Sequence, residues 1–142
     1  MTVKQLSVFI ENRRGRLGEV LHFLKENKVS ILSMSLADTS EFGLLRLIVD
    51  DPALGKEKLT ENGFSSLLSD VSIIKIPHTV GALQEVLKKI DAGDVSIEYM
   101  YGLSLEGDNA YVVLKASDSE KLDEILNASG VETISAEHLV KP

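Results

Sequence analysis

Shifting the chain by 66 residues lays RGRLGEVLHFLKENKVSILSM (Arg14 to Met34) over VGALQEVLKKIDAGDVSIEYM (Val80 to Met100) without a gap, with nine identities in 21 positions. Gly15 meets Gly81, Glu19-Val20-Leu21 meets Glu85-Val86-Leu87, and Val29-Ser30-Ile31 meets Val95-Ser96-Ile97. With one residue inserted, LLRLIVDDP falls on YVVLKASD and ENGF on ASGV. A repeat of this length restricts the chain to an architecture built from two copies of one supersecondary unit of about 70 residues.

Periodicity reads each copy. In QLSVFIE (Gln5 to Glu11), Leu6, Val8 and Ile10 alternate on one face, as in a half-buried strand. Leu17, Val20, Leu21 and Leu24 follow at helical spacing, with Asn12 as an N-cap or turn residue and Asn27 near the helix end. VSILSMSLA alternates again, Asp38 to Phe42 reads as a turn, and GLLRLIVD is a third strand. A short helix carrying Leu54 and Leu59 follows Pro52 and closes at Asn62-Gly63; Phe64 to Leu68 is the fourth strand. The second copy repeats the order: strand Val71 to Ile76, helix Ala82 to Asp91, strands Val95 to Leu103 and Ala110 to Lys115, helix Ser119 to Asn127, strand Val131 to Ile134. The expected class is therefore α+β: two tandem ferredoxin-like βαββαβ modules with antiparallel sheets, packed side by side. The modules are expected at residues 1–70 and 71–142, the second with a short C-terminal tail, because Asp70 ends one copy and Val71 begins the next.

Composition removes several function classes. The chain has no cysteine, so a disulfide framework, a thiolate metal site and a cysteine nucleophile are excluded. Only His22, His78 and His138 could supply imidazole ligands, and they are scattered, so no metal or other cofactor is expected. A net charge of −7 argues against nucleic acid as a partner. No run approaches the apolar length of a membrane span, and the N-terminus lacks the segments of a signal peptide. A cytoplasmic protein without a membrane partner is the expectation. Against this acidic background all four arginines lie at or before Arg46, three of them in ENRRGRLGEVL.

No catalytic pattern stands out. There is no nucleophile elbow and no phosphate loop of the GxxxxGK type, and Asp50-Asp51 before Pro52 reads as a turn. The loop from the first strand into the first helix is better suited to binding. A helix N-terminus presents unpaired backbone N–H groups at the positive end of the helix dipole, which favours a carboxylate. Gly15 leaves room over that backbone, and Asn12 offers both a donor and an acceptor. The same residues also read as a plain turn, with Arg13, Arg14 and Arg16 solvated or paired to Glu11 and Glu19.

The motifs IENRRGRLGEVL, SLADTSEFGLLRLIVDDP and VSIEYMYG, at matching spacing in both copies, resemble the ACT family of amino-acid-binding regulatory domains, in its stand-alone tandem form. The resemblance covers nearly the whole chain. It implies a non-enzymatic sensor that binds a free amino acid where paired ACT modules meet and regulates a metabolic enzyme or regulator. It also implies the ligand-binding positions: Asn12, Arg14, Gly15, Arg16 and Leu17 in the loop, with Ser30 and Ile31 reaching from the next strand of a neighbouring module. Their counterparts are His78, Val80, Gly81, Ala82 and Leu83, with Ser96 and Ile97. Two departures stand out. Arg14 replaces the usual proline before the glycine, and in the second copy His78 and Val80 replace the asparagine and the proline. Tyr99 and Tyr101 read equally as a pocket wall or as packing residues. An interaction module without ligand is the alternative, and an acylphosphatase-like hydrolase, which shares the ferredoxin-like plan, is a remote one. Exposed sheet edges favour a homodimer.

Overall fold

Alternation along the first strand decides which face of the sheet carries the core. The computed structural model describes residues 2–11, 14–38, 42–103, 108–135 and 137. Its elements are β1 (Val3–Glu11), α1 (Arg16–Glu26), β2 (Ile31–Asp38), β3 (Phe42–Val49), α2 (Pro52–Glu61), β4 (Ser65–Pro77), α3 (Ala82–Ala92), β5 (Ile97–Leu103), β6 (Asn109–Ala116), α4 (Ser119–Ala128) and β7 (Glu132–Thr133). The chain divides into two compact units, Lys4–Ser69 and Asp70–Pro142, with Met1–Val3 grouped with the latter.

In the first unit the strands run β2-β3-β1-β4. The antiparallel register sets Leu6 opposite Leu47 and Val8 opposite Leu45, so β1 and β3 turn the same apolar face toward the helices. On that face Leu6, Val8, Leu45 and Leu47 close a core with Val20 and Leu24 of α1, Leu59 of α2, and Phe64. The helical spacing of Val20 and Leu24 is what brings both onto one side of α1. The second unit repeats the plan with β4-β6-β5, and β7 pairs with β4 through Ile74 opposite Thr133. Its core joins Ile74, Ile76, Val112 and Leu114 to Val86 and Ile90 of α3 and to Leu122 and Leu126 of α4.

The helix ends are duplicated in detail. Asp51 caps α2 by accepting a hydrogen bond from the Leu54 amide at 3.1 Å, and Asp118 caps α4 through the Lys121 amide at 3.1 Å. Pro52 sits at the start of α2, where its missing N–H costs nothing. At the far end, the Phe64 amide bonds Leu59 O at 2.9 Å and the Val131 amide bonds Leu126 O at 3.0 Å, a Schellman closure in each copy. Among the described residues, positive φ angles come in pairs one repeat apart: Gly15 with Gly81, Lys28 with Asp94, and Gly63 with Gly130.

Two expectations need correction. α1 starts at Arg16 with Gly15 as its N-cap rather than Asn12, of whose two readings, cap or turn, the second lies outside the described residues. The strands expected at Phe64 to Leu68 and Val71 to Ile76 form one continuous strand, β4. Between Ser65 and Ile76 the chain holds neither glycine nor proline, so nothing there interrupts an extended backbone. Among the described residues no helix is long and apolar enough to cross a membrane.

Candidate functional site

Each module carries its glycine at the same point. Gly15 has φ 88° and Gly81 φ 83°, both left-handed, and each is the N-cap of the helix after the module's first strand. A Cβ built on either would meet no heavy atom within 4 Å. Glycine is therefore retained there by backbone conformation rather than by crowding, and the space above it is open. Among the described residues no side chain caps α1 or α3, in contrast to the aspartate caps of α2 and α4. The first of these helix starts belongs to the loop that the sequence singles out for a carboxylate.

The flanking residues are arranged unequally. Arg14 is exposed, and Leu17 is half-buried against the first core. Of the readings open to Arg16, pairing with Glu19 is the one present, and the side chain is not left in water. Its Nη1 donates to Glu19 Oε2 at 2.6 Å, its guanidinium carbon lies 4.1 Å over the Phe64 ring, and its side chain is only 14% exposed. Among the described residues the buried Nε–H of that guanidinium has no acceptor. Arg13 lies outside the described residues. In the second module His78 and Val80 are exposed, and the His78 amide donates to Asp108 O at 3.0 Å. Ala82 and Leu83 are half-buried at the start of α3.

Ser30 and Ser96 are exposed residues just before β2 and β5, each bonded to the residue that ends the hairpin it opens, β2–β3 or β5–β6. The Ser30 amide donates to Asp50 Oδ1 at 2.8 Å and the Asp50 amide to Ser30 O at 3.1 Å. In the second copy the Ser96 amide donates to Ser117 Oγ at 3.3 Å and the Ser117 amide to Ser96 O at 2.9 Å. Ser30 and Ile31 also line a shallow depression of about 370 Å³ with Leu21 and Lys25 of α1. Ile97 is half-buried at the start of β5, and Tyr99 and Tyr101 are half-buried farther along it.

A feature absent from the sequence reading lies within each module. In the first, a cleft of about 310 Å³ is lined by Phe9, Ile10, Glu11, Arg16, Phe42, Gly63 and Ser65. Phe9 and Phe42 meet edge to face with centroids 5.8 Å apart. In the second, a cleft of about 530 Å³ has Lys75, Ile76, Pro77, Ala82, Asn109, Gly130 and Glu132 in its lining. These seven are the repeat counterparts of the first seven, position for position. The lining chemistry has changed: Lys75 forms an ion pair with Glu132 at 3.8 Å where the first module has Phe9 and Ser65. Ala82 replaces the long Arg16 and the second cleft is the wider. The signal for this site was in the repeat alignment, but nothing in a linear sequence shows that the end of β1 and the starts of α1, β3 and β4 converge. Among the described residues no group of three or more His, Cys, Asp or Glu is placed to hold a metal ion.

The family described as an ACT domain pair matches residues 1–141. Protein BT0572 from Bacteroides thetaiotaomicron is 37% identical and superimposes with a TM-score of 0.93 over 100% of this chain and 98% of that one. The ligand-free regulatory subunit of aspartate kinase from Thermus thermophilus is 16% identical, with a TM-score of 0.64 over 89% of this chain and 90% of that one. The corresponding subunit from Thermus flavus is 17% identical, with a TM-score of 0.59 over 89% and 92% of the two chains. At those identities the two kinase subunits share the fold. No curated protein matches the chain.

Proposed function

We propose, for a chain that belongs to the ACT domain pair family, a regulatory role in which a free amino acid is bound and its occupancy is passed to a metabolic enzyme or regulator. The observation that carries the reading is the pair of left-handed glycine N-caps, Gly15 and Gly81, on helices that no side chain among the described residues caps. Open space over such a helix start, with the dipole behind it, suits the carboxylate of an amino acid. In this reading the loop of one ACT module provides Gly15, Arg14, Leu17 and Asn12, and the strand of another provides Ser30 and Ile31. The second loop, with Gly81, Ala82, Leu83, His78, Val80, Ser96 and Ile97, makes a weaker site, because His78 and Val80 offer less polar contact.

Pairing of two copies through β2 fits the same reading. β2 ends the strand order of its module, and Met34 and Leu36 on it are exposed apolar side chains. A cytoplasmic home and a non-catalytic role are part of the proposal, in keeping with the regulatory kinase subunits of the same fold. The test is calorimetry and thermal denaturation with each common amino acid and with the matching amines. A ligand at 100 times its dissociation constant adds about 2.7 kcal/mol to the folded state. Amino acids should raise the melting temperature while the amines do not. If no amino acid gives heat or a shift at millimolar concentration, the chain is an interaction module without a ligand.

A further inference from the structure

We infer that the hollow at the end of α1 selects an amino acid whose side chain ends in a carboxylate, with Lys25 and Lys28 as the specificity-determining residues. The inference deepens the amino-acid reading by naming the ligand class, and it rests on that reading for the capture of the ligand's own amino and carboxyl groups. The hollow is the surface that carries Ser30 and Ile31.

Its lining suits such a side chain. Leu21, Leu24, Val29 and Ile31 offer apolar surface to methylene groups, and Lys25 and Lys28 belong to the same lining. Both lysines are exposed, and their flexible stems let each ammonium reach over the hollow. Among the described residues neither ammonium is engaged in a hydrogen bond or an ion pair. Two carboxylates are close in the chain or across the hairpin, Glu26 and Asp50. Neither lines the hollow, and Asp50 already accepts the Ser30 amide at 2.8 Å.

Lys28 occupies a place that does not favour lysine. Its φ of 59° is left-handed, and it stands just before the amide that closes the helix, Val29 N–H to Leu24 O at 2.9 Å. At the ends of α2 and α4 the same place is taken by Gly63 and Gly130, which adopt such a φ without strain. The helix dipole accounts for one cation in the last turn, Lys25 in α1 and Lys89 in α3. It does not account for a further lysine past the helix end in a conformation that disfavours its side chain.

The second module isolates the charge. Leu87, Ile90, Val95, Ser96 and Ile97 repeat the rest of the lining, and every position keeps its degree of burial, while Asp91 and Asp94 replace Lys25 and Lys28. Asp94 keeps the left-handed backbone, with φ 61°. A role in the fold shared by both modules requires neither sign, yet both positions reverse together. An anionic side chain is therefore drawn to the first surface and repelled by the second.

The experiment is calorimetric titration of the full chain with L-glutamate, L-glutamine and L-leucine at low and high salt, repeated on Lys25→Gln/Lys28→Asn and on Asp91→Asn/Asp94→Asn. Asparagine tolerates the left-handed backbone at both places, so the variants keep the turn. The expected result is L-glutamate bound at least about ten-fold more tightly than its uncharged isostere L-glutamine, as two exposed ion pairs allow, with the preference falling as salt rises. In the lysine variant glutamate drops to the level of glutamine while glutamine binds as before; a merely structural role would weaken both alike. The aspartate variant leaves the glutamate affinity unchanged. Glutamine or leucine binding as tightly as glutamate overturns the proposal and leaves the amino-acid reading standing. So does a glutamate preference that survives in the lysine variant or disappears in the aspartate variant. Absence of heat with every amino acid overturns both.

Discussion

The first module rings its cleft with two phenylalanines and a half-buried arginine; the second puts a lysine, an asparagine and an alanine at the same three places. Yet the backbone beneath is the same to the level of single residues, with left-handed Gly15 and Gly81 and aspartate caps Asp51 and Asp118 one repeat apart. The difference shows which residues the fold needs. A positive φ or an orphan amide tolerates few alternatives, so those positions stay alike. The side chains lining the clefts set no backbone geometry; each module fills those positions with contacts of its own, Phe9 on Phe42 in one and Lys75 with Glu132 in the other, so they differ.

Four measurements would break or sharpen this contrast. The largest effect is expected in the cores, where Leu47 and Leu114 are fully buried counterparts. Truncating either to alanine should cost about 2–5 kcal/mol in urea denaturation. A small loss in one module alone would show that the duplication does not extend to packing. Next comes Gly15→Ala against Gly81→Ala. Neither added methyl meets an obstacle, so each should cost only the left-handed strain of about 1–2 kcal/mol. A much larger cost at one glycine would mean its loop is held by contacts that its partner lacks. Removing the caps, Asp51→Ala or Asp118→Ala, should lower stability by about 1 kcal/mol apiece, since both accept one amide hydrogen bond of equal length. The smallest effect belongs to the difference itself. Glu132→Gln breaks a 3.8 Å pair whose carboxylate is 62% exposed, and it should cost less than about 1 kcal/mol, the loss shrinking as salt rises. A larger, salt-independent loss would show that the second cleft depends on this pair to keep its form.

Element types were readable because each depends on neighbours in sequence. The alternation of Leu6, Val8 and Ile10 and the spacing of Val20 and Leu24 located β1 and α1, and Asn62-Gly63 marked the end of α2. The start of α1 was less legible. Asn12 is a good capping residue by type, but the backbone turns into the helix only at Gly15, whose φ a residue pattern does not report. The join of two strands into β4 is not legible in the repeat, because the end of a copy suggests a break while the residues themselves continue an extended chain.

The sequence by itself determined the duplication, the βαββαβ order and the glycine-bearing loops, because repeats and periodicities are local and survive being written on a line. Only the tertiary structure decided that Phe9, Arg16, Phe42 and Phe64 come together. The first of these lies in β1, the last immediately precedes β4, and Phe9 and Phe64 are 55 positions apart in the chain, so the pairing register and the packing of α1 on the sheet must exist before a cleft does. Arg16 makes the point by its surroundings. In the sequence it is one of three arginines in an exposed-looking loop, and in the folded module its guanidinium is laid on Phe64 and drawn out of water. Solvation of a charge depends on what lies across space from it, which residue order alone does not specify.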